Sequence, residues 1–214
     1  LAEKGVFVFE APYLVHLLEK LEYDTIYHEH LSYLSLTPLK RLFEQFGMEI
    51  INVQEVSIHG GTMRYHVARK NDFPVVAAVE EYIKLEREKN IYELDYLKKF
   101  SRSVESHRDE LAWMLQSIKR EGKSIAGVSA PAKGMTLLSY CRIGAETLDF
   151  ITEKSALKIG KYTPGTHIPI VGDSELVEKM PDYALLLAWN FADEIMKNNS
   201  EFRARGGKFI IPIT

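Results

Sequence analysis

The chain has 214 residues, of which 46% are hydrophobic and 27% are charged, a composition that predicts one or two packed domains. Its 27 basic and 30 acidic residues give a formal charge of -3, which argues against a partner bound through neutralised phosphates, such as a nucleic acid. One cysteine, Cys141, excludes a disulfide framework and a cysteine metal cluster, and favours a cytoplasmic location. No apolar run suits a membrane span or a signal peptide. Because the chain opens on Leu1 and enters a strand pattern by Val6, we expect it to be a piece of a longer protein.

The pattern of the first 70 residues predicts a strand, two helices and a pair of strands, in that order. The run from Val6 to Phe9 predicts a buried strand, and leucines at helical spacing from Leu14 to Leu21 predict a helix. Thr37 and Pro38 resemble a helix N-cap and first turn, and Gly47 ends that helix. The runs Met48–Val56 and Met63–Ala68 flank a short connector with glycines, which predicts an antiparallel pair.

Residues 74–120 are charged and helical in pattern. Their apolar positions fall mostly three or four apart and skip one turn at His107. We expect two helices with a break near Asn90.

After Lys123, short apolar strands alternate with helices. The predicted strands are 124–130, 148–152, 168–171, 183–189 and 208–213, and the predicted helices are 132–144, 174–179 and 191–203. This alternation is typical of a parallel, doubly wound sheet, with a domain boundary near residue 120.

The loop from Gly127 to Gly134 joins the first of these strands to its helix. Its small residues, including Ser129, predict close approach of the backbone to a ligand, and free amides at a helix start attract anions. Lys133 adds a positive charge where the helix dipole disfavours one, which suggests a bound phosphate or carboxylate. The alternative is a tight turn that binds nothing. The loop carries neither a dinucleotide nor a nucleoside triphosphate fingerprint.

Tyr27, His28, Glu29 and His30 form the densest cluster of titratable groups. In an extended segment the two histidines would point one way and Glu29 the other. A histidine beside a carboxylate suits proton abstraction, and a metal site with His59 or His66 is an alternative. A capped structural connector is a third.

Three further segments are candidates for contact with a ligand. His59, Gly60 and Gly61 occupy the strand connector, while Asn190 follows the strand 183–189. The polar, proline-bearing loop 162–169 completes the set. We expect the last two to converge with the Gly127–Gly134 loop on one edge of the sheet.

Taken in order, these motifs resemble the C-terminal two thirds of one family, the S-adenosylmethionine-dependent sugar C-methyltransferases. The resemblance covers essentially the whole chain. The family acts on nucleotide-linked keto-deoxysugars. The motifs are Glu10-Ala11-Pro12-Tyr13, Tyr27-His28-Glu29-His30-Leu31-Ser32-Tyr33, His59-Gly60-Gly61, Ala132-Lys133-Gly134, Pro164-Gly165-Thr166-His167-Ile168-Pro169 and Trp189-Asn190.

The resemblance implies an α/β fold in three parts. Residues 1–70 would be the last strands of a class I methyltransferase domain, 71–120 a helical linker, and 121–214 a Rossmann-like C-terminal domain. The family's S-adenosylmethionine loop and zinc cysteines would lie upstream of Leu1, so no metal is expected here. Strand Val6–Phe9 would then lack its partners and leave an exposed edge.

The resemblance also implies roles for the candidate residues. His30 would remove a proton next to the ketone, Glu29 and Tyr27 would orient it or stabilise the enolate, and the enolate carbon would take the methyl group. This chain alone is expected to be inactive. Contacts to the nucleotide sugar are expected from His59, Gly60, Gly61, Ser129, Lys133, Gly134, Pro164, Gly165, His167 and Asn190. The alternatives are a non-catalytic nucleotide-sugar-binding module and an NAD(P)-dependent oxidoreductase.

Overall fold

The computed structural model describes residues 1–56 and 61–213. Contacts group the chain into two units, Leu1–Glu22 with Glu29–Arg102, and Tyr23–His28 with Ser103–Thr214. The predicted division into three domains stays a prediction.

The first unit is built on a three-stranded antiparallel sheet in the order β1-β3-β2. Its elements are β1 (Phe7–Pro12), α1 (Leu14–Glu19), α2 (Leu36–Gln45), β2 (Met48–Val56), β3 (Thr62–Arg69) and α3 (Ala77–Glu88). The predicted antiparallel pair is therefore present, and α3 packs Val79 and Ile83 into the core of this unit.

Strand β1 differs from the prediction in two ways. It pairs with β3, so it does have a partner. It is not buried, because it lies at the edge of the sheet and leaves Phe7 44% and Val8 48% exposed. Its end at Pro12 suits such an edge, where a missing N–H is tolerated.

Helix α2 begins at Leu36, two residues earlier than predicted, and its start is stabilised by a residue distant in the sequence. The carboxylate of Glu86, on α3, accepts the N–H groups of Leu36 (2.6 Å) and Thr37 (2.9 Å). The cap that Thr37 and Pro38 suggested is thus replaced by a tertiary one, which satisfies the same unpaired amides.

The second unit holds a five-stranded, fully parallel sheet in the order β6-β5-β4-β7-β8. This confirms the predicted α/β fold with a Rossmann-like sheet. Its strands are β4 (Ile125–Val128), β5 (Phe150–Glu153), β6 (Ile170–Gly172), β7 (Tyr183–Leu186) and β8 (Lys208–Ile210). Its helices are α5 (Ala132–Tyr140), α6 (Glu175–Lys179), α7 (Ala192–Asn198) and α8 (Ser200–Ala204), besides short 3-10 helices at Tyr23–Thr25 and Trp189–Phe191.

Helix α4 spans Leu94–Arg120 and follows the predicted break, where Asn90 adopts a left-handed conformation (φ 54°). It buries Val104, Leu111 and Leu115, which lie on either side of the turn that the predicted apolar stripe skips at His107. Among the described residues, no helix combines the length and the apolar character that a membrane crossing requires.

Candidate functional site

Two loops meet at the carboxyl edge of the parallel sheet. β4 ends at Val128 and its neighbour β7 ends at Leu186, and Leu187 N–H donates to the Val128 carbonyl at 3.1 Å. Parallel strands place their following residues at the same edge. We call the residues that follow β4, β5 and β7 at this edge the carboxyl rim.

Lys133 lies at the carboxyl rim, where it contacts Trp189 and Asn190. It lies in the first turn of α5, its Nζ is 3.7 Å from the centroid of the Trp189 ring, and it donates a hydrogen bond to Asn190 Oδ1. An aromatic face attracts an ammonium group, and the amide oxygen accepts one of its protons. The structure therefore brings Lys133 and Asn190 together, and it supplies a reason for a lysine at this helix start that does not require an anion.

Asp24 lies beneath the same tryptophan and was not predicted from the sequence. It belongs to the 3-10 helix Tyr23–Thr25, is completely buried, and its Oδ2 accepts the Trp189 Nε1–H at 2.7 Å. Burial raises the pKa of the Asp24 carboxyl, while the Trp189 hydrogen bond and the charge of Lys133 act to lower it. A buried indole N–H predicts some acceptor, but no spacing in the sequence links residues 24 and 189.

Tyr23 fixes the same 3-10 helix against α4 and α5. Its hydroxyl lies 2.9 Å from His107 Nδ1 and 3.4 Å from Cys141 Sγ, and His107 Nε2 lies 2.5 Å from the Pro212 carbonyl oxygen. A carbonyl can only accept, so His107 Nε2 donates and, in the neutral ring, Nδ1 accepts from Tyr23. This contact explains why the apolar stripe of α4 skips a turn at His107.

The glycines of the Gly127–Gly134 loop serve packing. A Cβ on Gly127 would lie 2.8 Å from Ile151 Cγ1, and one on Gly134 would lie 2.8 Å from Leu187 Cβ. The space that their missing side chains leave is filled by protein atoms, so these two glycines do not open the backbone to a ligand. Ser129, at φ 66°, makes the turn and donates its N–H to the Thr152 carbonyl.

Glu153 ends β5, the position where a Rossmann domain that binds a dinucleotide holds the ribose with an acidic residue. No motif in the sequence points to this residue. Its carboxylate accepts the N–H groups of Ala130, Lys154 and Ser155 at 2.8 to 3.1 Å. Although burial alone would raise the pKa of Glu153, these hydrogen bonds hold it below its usual value. Glu153 ties two loops of the rim together, which disfavours the oxidoreductase alternative.

A cavity of about 350 Å³ opens on the carboxyl rim. Its lining carries three acidic residues, Glu153, Asp173 and Glu194, against one basic residue, Lys154. Such a lining does not attract an anion. The Lys133 ammonium is not part of that lining, so the cavity and the lysine are separate features of the rim.

The loop 164–167 does not lie at the carboxyl rim, contrary to the prediction. It immediately precedes β6, and β6 starts level with the amino end of β5, where Ile151 pairs with Ile170. The chain reverses after β5, since Gly160 N–H donates to the Ile170 carbonyl and Tyr162 pairs with Pro169 in antiparallel fashion. The predicted ligand contacts Pro164, Gly165 and His167 are therefore exposed at the opposite edge of the sheet.

The segment Tyr27–His30 forms a bend and a turn instead of an extended run, so the predicted alternation of side chains is wrong. Tyr27 and His30 are partly buried, and His28 and Glu29 are exposed. Contacts group Tyr27 with the second unit, and Glu29 and His30 with the first. Within residues 1–56 and 61–213, no three His, Cys, Asp or Glu side chains are arranged to hold a metal ion.

Of the predicted contacts in the strand connector, His59 and Gly60 lie outside the described residues. Gly61 is described, and its backbone (φ 131°) is one that favours glycine. A Cβ there would lie 1.9 Å from His16 Nδ1, so the close packing of the His16 ring requires a glycine.

A family model described as the C-methyltransferase C-terminal domain matches residues 57–214. The chain is also 40% identical, over all 214 residues, to the C-methyltransferase NovU of Streptomyces niveus. It belongs to the C-methyltransferase family. This confirms the family resemblance drawn from the ordered motifs. The C-methyltransferase chain described here spans 51% of the length of NovU.

Methyltransferases in general use S-adenosylmethionine, but the carboxyl rim of this C-methyltransferase chain does not fit its nucleoside. The glycine positions are filled by Ile151 and Leu187, and the oxygens of Glu153 are engaged by backbone amides. No residue of the rim is therefore assigned to the methyl donor.

Proposed function

We propose that this chain serves a C-methyltransferase that methylates a carbon next to a ketone in a nucleotide-linked deoxysugar, with S-adenosylmethionine as the methyl donor. Family membership supports the reaction class. The observation that supports a nucleotide-linked substrate is the position of the Lys133 ammonium at the carboxyl rim, in contact with Trp189 and Asn190.

In this proposal Lys133 binds the diphosphate of the substrate. It sits in the first turn of the nine-residue helix α5, where the helix dipole adds a positive potential to the ammonium charge. The side-chain N–H groups of Asn190 would contribute a further contact on this rim. Ser129 and Gly134, also predicted as contacts, receive no role in this proposal, because the Ser129 N–H is donated to the Thr152 carbonyl and the space beside Gly134 is filled by Leu187.

The base in this proposal is His30. A neutral imidazole accepts the proton from the carbon next to the ketone, the C–H electron pair moves into the enolate, and the ketone oxygen becomes the enolate oxygen. Tyr27 and Glu29 would stabilise that oxygen or the imidazolium. When bound, S-adenosylmethionine would supply the methyl group to the enolate carbon, and its sulfur would keep the electron pair of the broken S–C bond and leave as a neutral thioether.

Replacing the base tests the mechanism. In the full-length protein, His30→Ala should lower the rate of methyl transfer to a nucleotide keto-sugar by about 10²–10⁴-fold, the contribution of a positioned general base. His28→Ala is the matched control, since His28 is an exposed neighbour in the same turn. Equal rates for the two variants would exclude His30 as the base, and binding without any turnover by the wild type would favour the non-catalytic module.

Removing the ammonium tests the substrate class. Lys133→Ala should raise the Kd for a nucleoside diphosphate sugar about tenfold, because a charge-assisted contact to a phosphate is lost. Calorimetry on both proteins measures this change. Lys208→Ala is the control: its Nζ lies 5.5 Å from the Tyr183 ring, but it starts β8 and so lies at the opposite edge of the same sheet. An unchanged Kd for Lys133→Ala would reject the anion site.

A further inference from the structure

Asp24 is a buried carboxylate that the structure leaves only partly satisfied. Its Oδ2 accepts the Trp189 indole N–H, but its Oδ1 is buried and has no hydrogen-bond partner among the described residues. Burying a carboxylate with one unused oxygen costs stability. A side chain kept at such a cost, beside the proposed substrate site, calls for a role other than stability.

Asp24 and Lys133 contact the same side chain, the indole ring of Trp189. The carboxylate holds the edge of the Trp189 indole at 2.7 Å, and the face of that indole holds the Lys133 Nζ at 3.7 Å from its centroid. The indole N–H fixes the rotation of the ring, and the ring plane in turn decides where an ammonium can rest. Asn190, next in the chain to Trp189, fixes the same ammonium through Oδ1.

We infer that Asp24 is a positioning residue, which acts through Trp189 to hold the Lys133 ammonium in place for the anionic part of the substrate. The inference rests on the proposed function for its choice of ligand. It assigns no contact between Asp24 and substrate.

The position of Asp24 in the chain adds a second consequence. Asp24 lies three residues before Tyr27, and its neighbour Tyr23 is anchored to His107 and Cys141. The 3-10 helix that carries both residues is thus fastened to the same unit as Lys133. The 3-10 helix Tyr23–Thr25 therefore has two roles. It carries the carboxylate that binds Trp189, and it fixes the start of the segment that leads into Tyr27–His30.

A first experiment needs no ligand. The chain has two tryptophans, of which Trp189 is 7% and Trp113 is 67% exposed, so the two indole N–H signals can be told apart by their exchange with solvent. In Asp24→Ala, the Trp189 signal should exchange at least about tenfold faster while the Trp113 signal is unchanged. Competitive acetylation, measured by mass spectrometry with Lys208 as the internal reference, should show that Lys133 is about five times more reactive in Asp24→Ala than in the wild type.

A second experiment measures substrate binding in the full-length protein. Asp24→Ala should raise KM for the nucleotide sugar about tenfold and leave KM for S-adenosylmethionine unchanged, while Asp24→Asn, which keeps an acceptor for the indole, should recover most of the loss. In a Lys133→Ala background, Asp24→Ala should add no further change in that KM, because both changes remove one interaction. Trp189→Phe, which keeps the ring but not its N–H, should reproduce Asp24→Ala if the alanine variant folds poorly.

The two experiments separate this inference from the proposed function. Unchanged exchange of the Trp189 indole N–H in Asp24→Ala, together with unchanged labelling of Lys133 in both Asp24→Ala and Trp189→Phe, would overturn the inference, whatever the substrate. Additive effects of Asp24→Ala and Lys133→Ala would overturn it as well, since that is the behaviour of a purely structural residue. If the labelling changes as expected but the wild type neither binds nor methylates a nucleotide sugar, the positioning role stands and the proposed function fails.

Discussion

Glu86 in the first unit and Asp24 in the second are both completely buried carboxylates, but their surroundings differ. Glu86 accepts two backbone N–H groups at the start of α2, and hydroxyl groups from Tyr13, Thr37 and Tyr92. Asp24 accepts one indole N–H and keeps one oxygen unpartnered among the described residues. A carboxylate with five donors holds a fold together, whereas one with a single donor holds one side chain in one orientation.

The largest expected effect follows from removing the satisfied carboxylate. Glu86→Ala should lower the free energy of unfolding of the first unit by about 3–5 kcal/mol, because the donors of Tyr13, Tyr92 and the start of α2 lose their acceptor. Urea denaturation, with hydrogen exchange of the α2 amides, measures the loss. The control is Glu88→Ala, two residues on, whose 62% exposed side chain pairs with Lys84 and should contribute about 0.5 kcal/mol or less. Similar losses for both variants would contradict the role given to Glu86.

Asp24→Asn is expected to raise the stability of the protein near neutral pH, by less than Glu86→Ala lowers it. Burial raises the pKa of Asp24, so the wild type is most stable when this group is protonated and loses stability as the pH rises through the pKa of the folded state. Asparagine keeps an acceptor for Trp189 and does not ionise. The melting temperature of Asp24→Asn relative to wild type should therefore increase between pH 4 and pH 7. A difference that stays constant over this range would show that Asp24 does not titrate in it.

The smallest expected effect concerns Asp182, the residue that precedes β7 in the second unit. The Ser124 N–H and hydroxyl, together with Lys123, lower the pKa of Asp182 from 3.8 to about 2. Its stabilisation is thus present above the pKa of the unfolded state and is lost as the pH falls through about 2. Asp182→Asn should melt earlier than wild type at pH 7, and the difference should vanish near pH 2. Persistence of the difference at pH 2 would point to packing instead of charge.

The sequence predicted the features that depend on local pattern. The parallel sheet follows from apolar strands that alternate with helices, the helix break from Asn90, and the skipped turn in α4 from the polar His107. The pair Lys133 and Asn190 could be placed at one edge because both follow strands of the same sheet.

The remaining features depend on pairs that are distant in the chain. Glu86 caps a helix 50 residues away and Asp24 binds an indole 165 residues away, and no periodicity relates such positions. The loop 164–167 lies at the edge opposite to the predicted one because the chain reverses after β5. Gly160 N–H donates to the Ile170 carbonyl, and Tyr162 pairs with Pro169 in antiparallel fashion within a parallel domain.

Because Tyr23 contacts Cys141, the reactivity of the Cys141 thiol is a probe of the 3-10 helix Tyr23–Thr25. Cys141 is the only cysteine of the 214 residues, it is buried under the Tyr23 hydroxyl, and burial raises the pKa of its thiol. A thiol in that state reacts slowly with alkylating reagents as long as the 3-10 helix covers it. The rate at which Cys141 is alkylated in the unmodified chain therefore measures how often the residues leading into Tyr27–His30 detach from the second unit.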